Sequence, residues 1–209
     1  MKIYDQKHDF EDYDGPPDKI VCFYCIPRSG SNHLALQMAK TQMLGYPLEY
    51  FSAANIARLQ ARLTGFSITN IAPLLQKRTS PNGVFSFKWN ANFGPLTKLG
   101  ITPGFSVFVD RKDRDAQAKS FCIAEATGQW LAKKSKAITP SAAAIKDAKK
   151  RLSVVRDATL KMLPKDHVTL YYEDFENDTE TTLNTIRTYI GEAVNENPGD
   201  SEIHVGSEF

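Results

Sequence analysis

The sequence predicts an α/β fold, a parallel sheet flanked by helices. Three observations carry that prediction. Short apolar runs rich in β-branched and aromatic residues alternate with longer stretches whose apolar residues recur every three or four positions. The runs are apolar throughout rather than alternating, as strands covered on both faces are. The 209 residues are 42% hydrophobic, enough for one domain with arms around a single core.

Residues 1–19 read as a mostly irregular N-terminal arm, closed by the breaker Gly15-Pro16-Pro17. Its carboxylates, among them Asp5, Asp9, Glu11, Asp12 and Asp14, are too irregular for a metal loop, so solvation is their expected role. Residues 20–26 are the first strand, which Pro27 ends because it has no N–H for a ladder. Arg28-Ser29-Gly30-Ser31-Asn32-His33 is a tight turn, and Leu34, Ala35, Met38 and Ala39 then open a helix stopped by Gly45-Tyr46-Pro47. Residues 53–78 are helical in part, with Ile56, Leu59 and Leu63 on one stripe and Ile71, Leu74 and Leu75 on another.

Ser80-Pro81-Asn82-Gly83 is a turn signal before a second strand over residues 84–89, and a third strand covers 105–110. Residues 115–130 read as a helix, with Trp130 expected in the core. Lys133, Lys134 and Lys136 fall in a loop, read as solvated or as a basic rim that draws in an anion. Ser141 caps the next helix, whose stripe runs through Ile145, Ala148, Leu152, Val155, Thr159 and Met162 until Pro164. Residues 167–172 form a fourth strand. A last helix from Asp178 turns Leu183, Ile186 and Ile190 inward and stops at Gly191. The tail, residues 192–209, is polar and expected to be mobile.

The strand, small-residue turn and helix around Arg28 make an anion site. The free N–H groups of a helix's first turn and its dipole point at one spot. Gly30 lets the backbone come close, Ser29, Ser31 and Asn32 add donors, and Arg28 adds a fork that fits phosphate or sulfate. An ordinary helix cap is the plainer reading of the same turn. No Gly-Lys-Ser/Thr follows, which disfavours nucleoside triphosphate hydrolysis and a nucleotide kinase. A net charge of +2 argues against general nucleic-acid binding. Cys22 and Cys25 lie inside a strand with no second pair, so neither a metal nor redox chemistry is expected of them. The polar N-terminus and the lack of a long apolar run point to a cytoplasmic protein without integral membrane association.

Pro27-Arg28-Ser29-Gly30-Ser31 followed by Gly45-Tyr46-Pro47-Leu48-Glu49-Tyr50-Phe51 resembles the start of the trehalose 2-sulfotransferase family, which uses 3′-phosphoadenosine-5′-phosphosulfate (PAPS). Later stretches fit the same family in order: residues 82–89; Ala116-Gln117-Ala118-Lys119-Ser120 and Thr127-Gly128-Gln129-Trp130; and Tyr172-Glu173-Asp174-Phe175. The resemblance implies a P-loop-like PAPS-dependent sulfotransferase fold over residues 20–191. It implies a sulfuryl transfer to a hydroxyl of a small acceptor, a sugar or glycoconjugate, with no metal; relatives are often dimers, so a homodimer is open.

The resemblance assigns Arg28, Ser29, Gly30, Ser31 and Asn32 to the donor. Asn32 stands where Thr is common. It maps the 3′-phosphate to a basic residue eight positions before Ser120, which is Lys112, with Arg111 one earlier. Relatives usually carry Arg there, and Lys lacks the fork. Glu49 matches the family's glutamate base. Many sulfotransferases use a histidine two residues after a strand-end lysine, but here Asn90 follows Lys88. Lys88 either stabilises the transferring group or pairs with a carboxylate such as Glu173. The alternative is a non-catalytic nucleotide- or anion-binding protein that retains the fold, a reading favoured by Asn32, Lys112 and a short tail with no Arg or Lys.

Overall fold

The computed structural model describes residues 2–130 and 138–193. Four strands, β1 (Lys19–Cys25), β2 (Val84–Trp89), β3 (Phe105–Asp110) and β4 (Val168–Tyr171), form one sheet in the order β2-β1-β3-β4. Every pairing is parallel, with Lys19 opposite Val84, Cys25 opposite Val109 and Asp110 opposite Tyr171. The helices are α1 (Ser31–Lys40), α2 (Ala53–Arg62), α3 (Ala72–Arg78), α4 (Arg114–Thr127), α5 (Ala142–Leu160), α6 (Tyr172–Asn177) and α7 (Thr179–Tyr189). The predicted α/β class is the observed one.

Successive residues of β1 feed two cores, as the pleat requires. Cys22 and Tyr24 join the core that holds Leu59 of α2, Leu74 of α3, Ala118 of α4 and Leu152 of α5. Val21, Phe23 and Cys25 join the other, with Leu34 and Met38 of α1, Phe175 of α6 and Ile186 of α7. Covering on both sides explains why β1 and β2 are apolar almost throughout. Phe85, Phe87 and Trp89 have no exposed surface and stack edge or face upon one another. Each such side chain contributes roughly 1.5–3 kcal/mol by leaving water.

Several expectations are corrected. Trp130 is 44% exposed, its ring meeting the edge of Phe121 at 5.8 Å, because α4 ends at Thr127 and Gly128 turns the chain outward at φ 67°. Helix α1 stops at Lys40, short of Gly45. The Thr41 hydroxyl takes the N–H groups of Met43 and Leu44 at 3.2 Å each, and Gln42 turns left-handed. A short helix, α6, directly continues β4 where strand and connection were expected.

Most of the N-terminal arm, including Asp5, Glu11, Asp12 and Asp14, is exposed as expected, but Tyr4 and Asp9 tie it to the core. Tyr4 is buried against Tyr50, and its hydroxyl accepts from Asn55 Nδ2 at 2.8 Å. Asp9 is enclosed by Arg62, through a two-pronged contact, and by Arg78 Nε at 3.1 Å. Arg78 has no exposed surface and also donates to the carbonyl of His8 at 3.0 Å. A buried guanidinium needs a counter-charge, and among the described residues the arm brings it one. At the other end Glu192 pairs with Lys19 and accepts from Asn82 Nδ2 at 2.9 Å, so the tail starts anchored. The lysines 133, 134 and 136 and residues 194–209 lie outside the described residues.

Candidate active site

Strand order decides where the site lies. From β1 the chain crosses to β2 on one side; from β3 it goes to β4 on the other. The carboxyl ends of β1 and β3 therefore flank a topological switch point, where open parallel sheets bind ligands. Arg28 follows β1 and Arg111 follows β3.

Arg28 Nε donates to Ser120 Oγ of α4 at 2.8 Å and Nη1 donates to the carbonyl of Trp130 at 2.5 Å. Both partners are neutral, and among the described residues no carboxylate pairs with Arg28. Burial, and then the charge of Arg111 nearby, push the Arg28 guanidinium below its ordinary value. Arg111 lies over the ring of Tyr172 at 4.5 Å, with Glu173 at 3.7 Å. Its Nε is buried without a hydrogen-bond partner among the described residues. Two guanidinium groups thus lie near one another at this edge, the second only loosely neutralised.

The turn itself supplies the rest. Gly30 sits at φ 77° immediately before α1, with no side chain capping the helix. A Cβ there would lie 2.2 Å from Cδ2 of Tyr172, so glycine is required twice over, by backbone and by packing. Ser29 Oγ is buried without a hydrogen-bond partner among the described residues, and Ser31 shares its hydroxyl with Cys25. Burial pushes the Cys25 thiol up to about 12, which leaves it an inert core group. His33 points aside and stacks on Phe175.

Beyond the β1 end lies a second cluster. Lys88, 1% exposed at the end of β2, donates to Asn32 Oδ1. Burial lowers its pKa, partly offset by the nearby Cys25 and Glu49. Glu49 is close enough to act on that ammonium and is half-buried, without an ion pair among the described residues. Its backbone is held from two directions. Leu48 runs parallel to Phe87, with Lys88 N–H donating to Leu48 O at 2.9 Å, and Asn55 Nδ2 donates to Glu49 O at 2.8 Å. Asn90 caps the following turn, accepting from Asn92 N–H at 2.9 Å.

Lys112 pairs with Asp174 and lies 5.0 Å from the Tyr171 ring centre, about half exposed. Its neighbour Arg111 instead lies over the Tyr172 ring. Glu173 does not meet Lys88, because β4 and β2 are opposite edges of the sheet. It accepts instead from the N–H groups of Lys112 and Asp113, at 2.9 Å each, shaping the loop that carries Arg111. Sequence reasoning missed Tyr172 and Gln117 as parts of the site. Gln117 is buried completely and donates to the carbonyl of Pro27 at 2.9 Å. Its one sequence signal is an amide among the small residues that open α4.

The chain is similar in structure to the sulfotransferase domain of the Synechococcus PCC 7002 olefin synthase. The TM-score is 0.48 at 14% identity, over 90% of this chain and 78% of that one. No family model and no curated protein matches the sequence, so the trehalose 2-sulfotransferase resemblance stands on its motifs alone.

Proposed function

We propose that this protein is a sulfotransferase, moving a sulfuryl group from PAPS to a hydroxyl of a carbohydrate-type acceptor. The single observation that carries the reading is the pair Arg28 and Arg111 at the switch point. These are two guanidinium groups beside an uncapped helix start, with Ser120 between turn and helix. A group with several anionic oxygens fits that donor set, and the partnerless Arg111 Nε and Ser29 Oγ are consistent with it.

The donor supplies an activated sulfuryl group; the protein supplies placement, charge and a base. Arg28 and the N–H groups of residues 29–32 neutralise the phosphate side, where negative charge develops as the bond to sulfur breaks. Arg111 and Ser120 take the second phosphate, the role that the motif spacing gave to Lys112. Glu49 accepts the proton of the acceptor hydroxyl. Lys88, buried and near Glu49, steadies charge on the transferring group.

The second reading, a nucleotide- or anion-binding protein without turnover, is favoured by one feature. Lys112 is neutralised by Asp174, which leaves one fewer cation than the motif provides. Calorimetry with adenosine 3′,5′-bisphosphate tests the site, and mass detection of sulfated product from PAPS with a panel of sugars tests the reaction. No heat of binding at near-millimolar ligand removes the donor site. Binding without product in any sugar selects the second reading.

A further inference from the structure

The Arg28 turn is held in an unusual state, and the group that holds it is in view. Arg28 adopts φ 62°, a left-handed conformation that residues with a Cβ adopt at a cost. Ser29 N–H donates to Ile26 O at 3.1 Å, closing a four-residue turn with Pro27 and Arg28 at its centre. Proline first and positive φ second is the signature of a type II turn, in which the second residue is ordinarily glycine. The type I form, which most residues accept, is reached by turning over the central peptide. The carbonyl of that peptide belongs to Pro27.

That carbonyl accepts from Gln117 Nε2 at 2.9 Å. Gln117 has no exposed surface, and its Oε1 accepts from Arg156 Nη2 at 2.9 Å. Arg156 can only donate, so the amide has one orientation, oxygen toward Arg156 and N–H toward Pro27. Arg156 is fixed in turn by Asp110, through Nε at 3.0 Å and Nη2 at 3.1 Å. Asp110 is 2% exposed and also takes Arg114 Nη1 at 2.6 Å and Nη2 at 2.9 Å. A rigid chain of contacts therefore runs from the end of β3 through α5 and α4 to a single peptide group of the turn.

We infer that Gln117 is a positioning residue that locks the Pro27–Arg28 peptide in the type II state and so aims the Arg28 guanidinium at Ser120 and the bound anion. The choice of probe, adenosine 3′,5′-bisphosphate, rests on the sulfotransferase reading; the lock itself does not. In a Gln117→Met variant the side chain keeps its length and loses its donor. Its crystal structure is expected to show residue 28 at negative φ, the Pro27 carbonyl turned over and the contact to Ser120 gone. Calorimetry is expected to show about a tenfold weaker dissociation constant than the parent protein, or about 1.4 kcal/mol.

Gln117→Glu is the second variant, in case the first does not fold. It keeps the shape and the contact to Arg156 but offers oxygen to oxygen at Pro27, and the same reversal is expected. Retention of φ near +60° at residue 28 overturns the lock. A reversed turn with unchanged nucleotide affinity overturns the aiming role. Failure of the parent protein to bind the nucleotide removes the sulfotransferase reading, while φ at residue 28 still decides the lock.

Discussion

Arg28 Nε donates to Ser120 Oγ across 2.8 Å, joining the turn after β1 to the middle of α4, 92 residues further on. The bond places a cation with no carboxylate partner against a hydroxyl, at the point where the sheet's connections diverge. It is the contact on which an anion site at this edge depends.

Arg28→Ala removes the fork and leaves the helix N–H groups. Hydrogen bonds to charged groups contribute about 1.5–3 kcal/mol each, so adenosine 3′,5′-bisphosphate affinity should fall roughly 10- to 100-fold. Titration calorimetry at fixed ionic strength measures this. An unchanged dissociation constant would place the anion elsewhere.

Glu49→Gln keeps the shape and removes the base. Nucleotide affinity should be unchanged, because a carboxylate contributes no attraction to an anionic ligand, while turnover with a sugar acceptor drops by about 10²- to 10⁴-fold. Equal turnover in the two proteins would take Glu49 out of the mechanism.

Asp110 links pH to stability. Burial raises its carboxyl pKa, but the contacts from Arg114, Arg156 and the Arg111 N–H outweigh this and leave it below the usual range. The unfolded chain takes up this proton first, at about pH 4. The contribution is therefore complete above about pH 4 and is lost as pH falls from there toward the lower, folded pKa. Asp110→Asn should lose on the order of 3 kcal/mol at pH 7, because two arginines lose their counter-charge, and should show a flatter acid limb. Urea unfolding between pH 3 and pH 7 gives both quantities; parallel pH curves for the two proteins would contradict the assignment.

Asp9→Ala tests whether the N-terminal arm is structural. Arg78 has no exposed surface, and the change leaves it without a carboxylate. Breaking one side of a buried pair costs about 3–5 kcal/mol. A thermal melt within a degree of the parent protein would show the arm to be dispensable.

The sequence by itself determined the alternation of strands and helices, because strands covered on both faces and helices covered on one carry different apolar periods. It also located the Arg28 turn, since proline, glycine and hydroxyl residues between strand and helix leave the chain few other conformations. Helix caps were legible for the same local reason: Ser141 accepts from Ala144 N–H at 3.2 Å, and Asp178 caps α7. Only the tertiary structure decided how the two cations after β3 are engaged. Arg111 and Lys112 are adjacent, yet Arg111 lies over Tyr172 while Lys112 pairs with Asp174. It also brought Asp9 to Arg78, kept Glu173 from Lys88 and set Gln117 against Pro27. Each of these depends on strand order and on contacts between distant segments, which no local pattern of residues records.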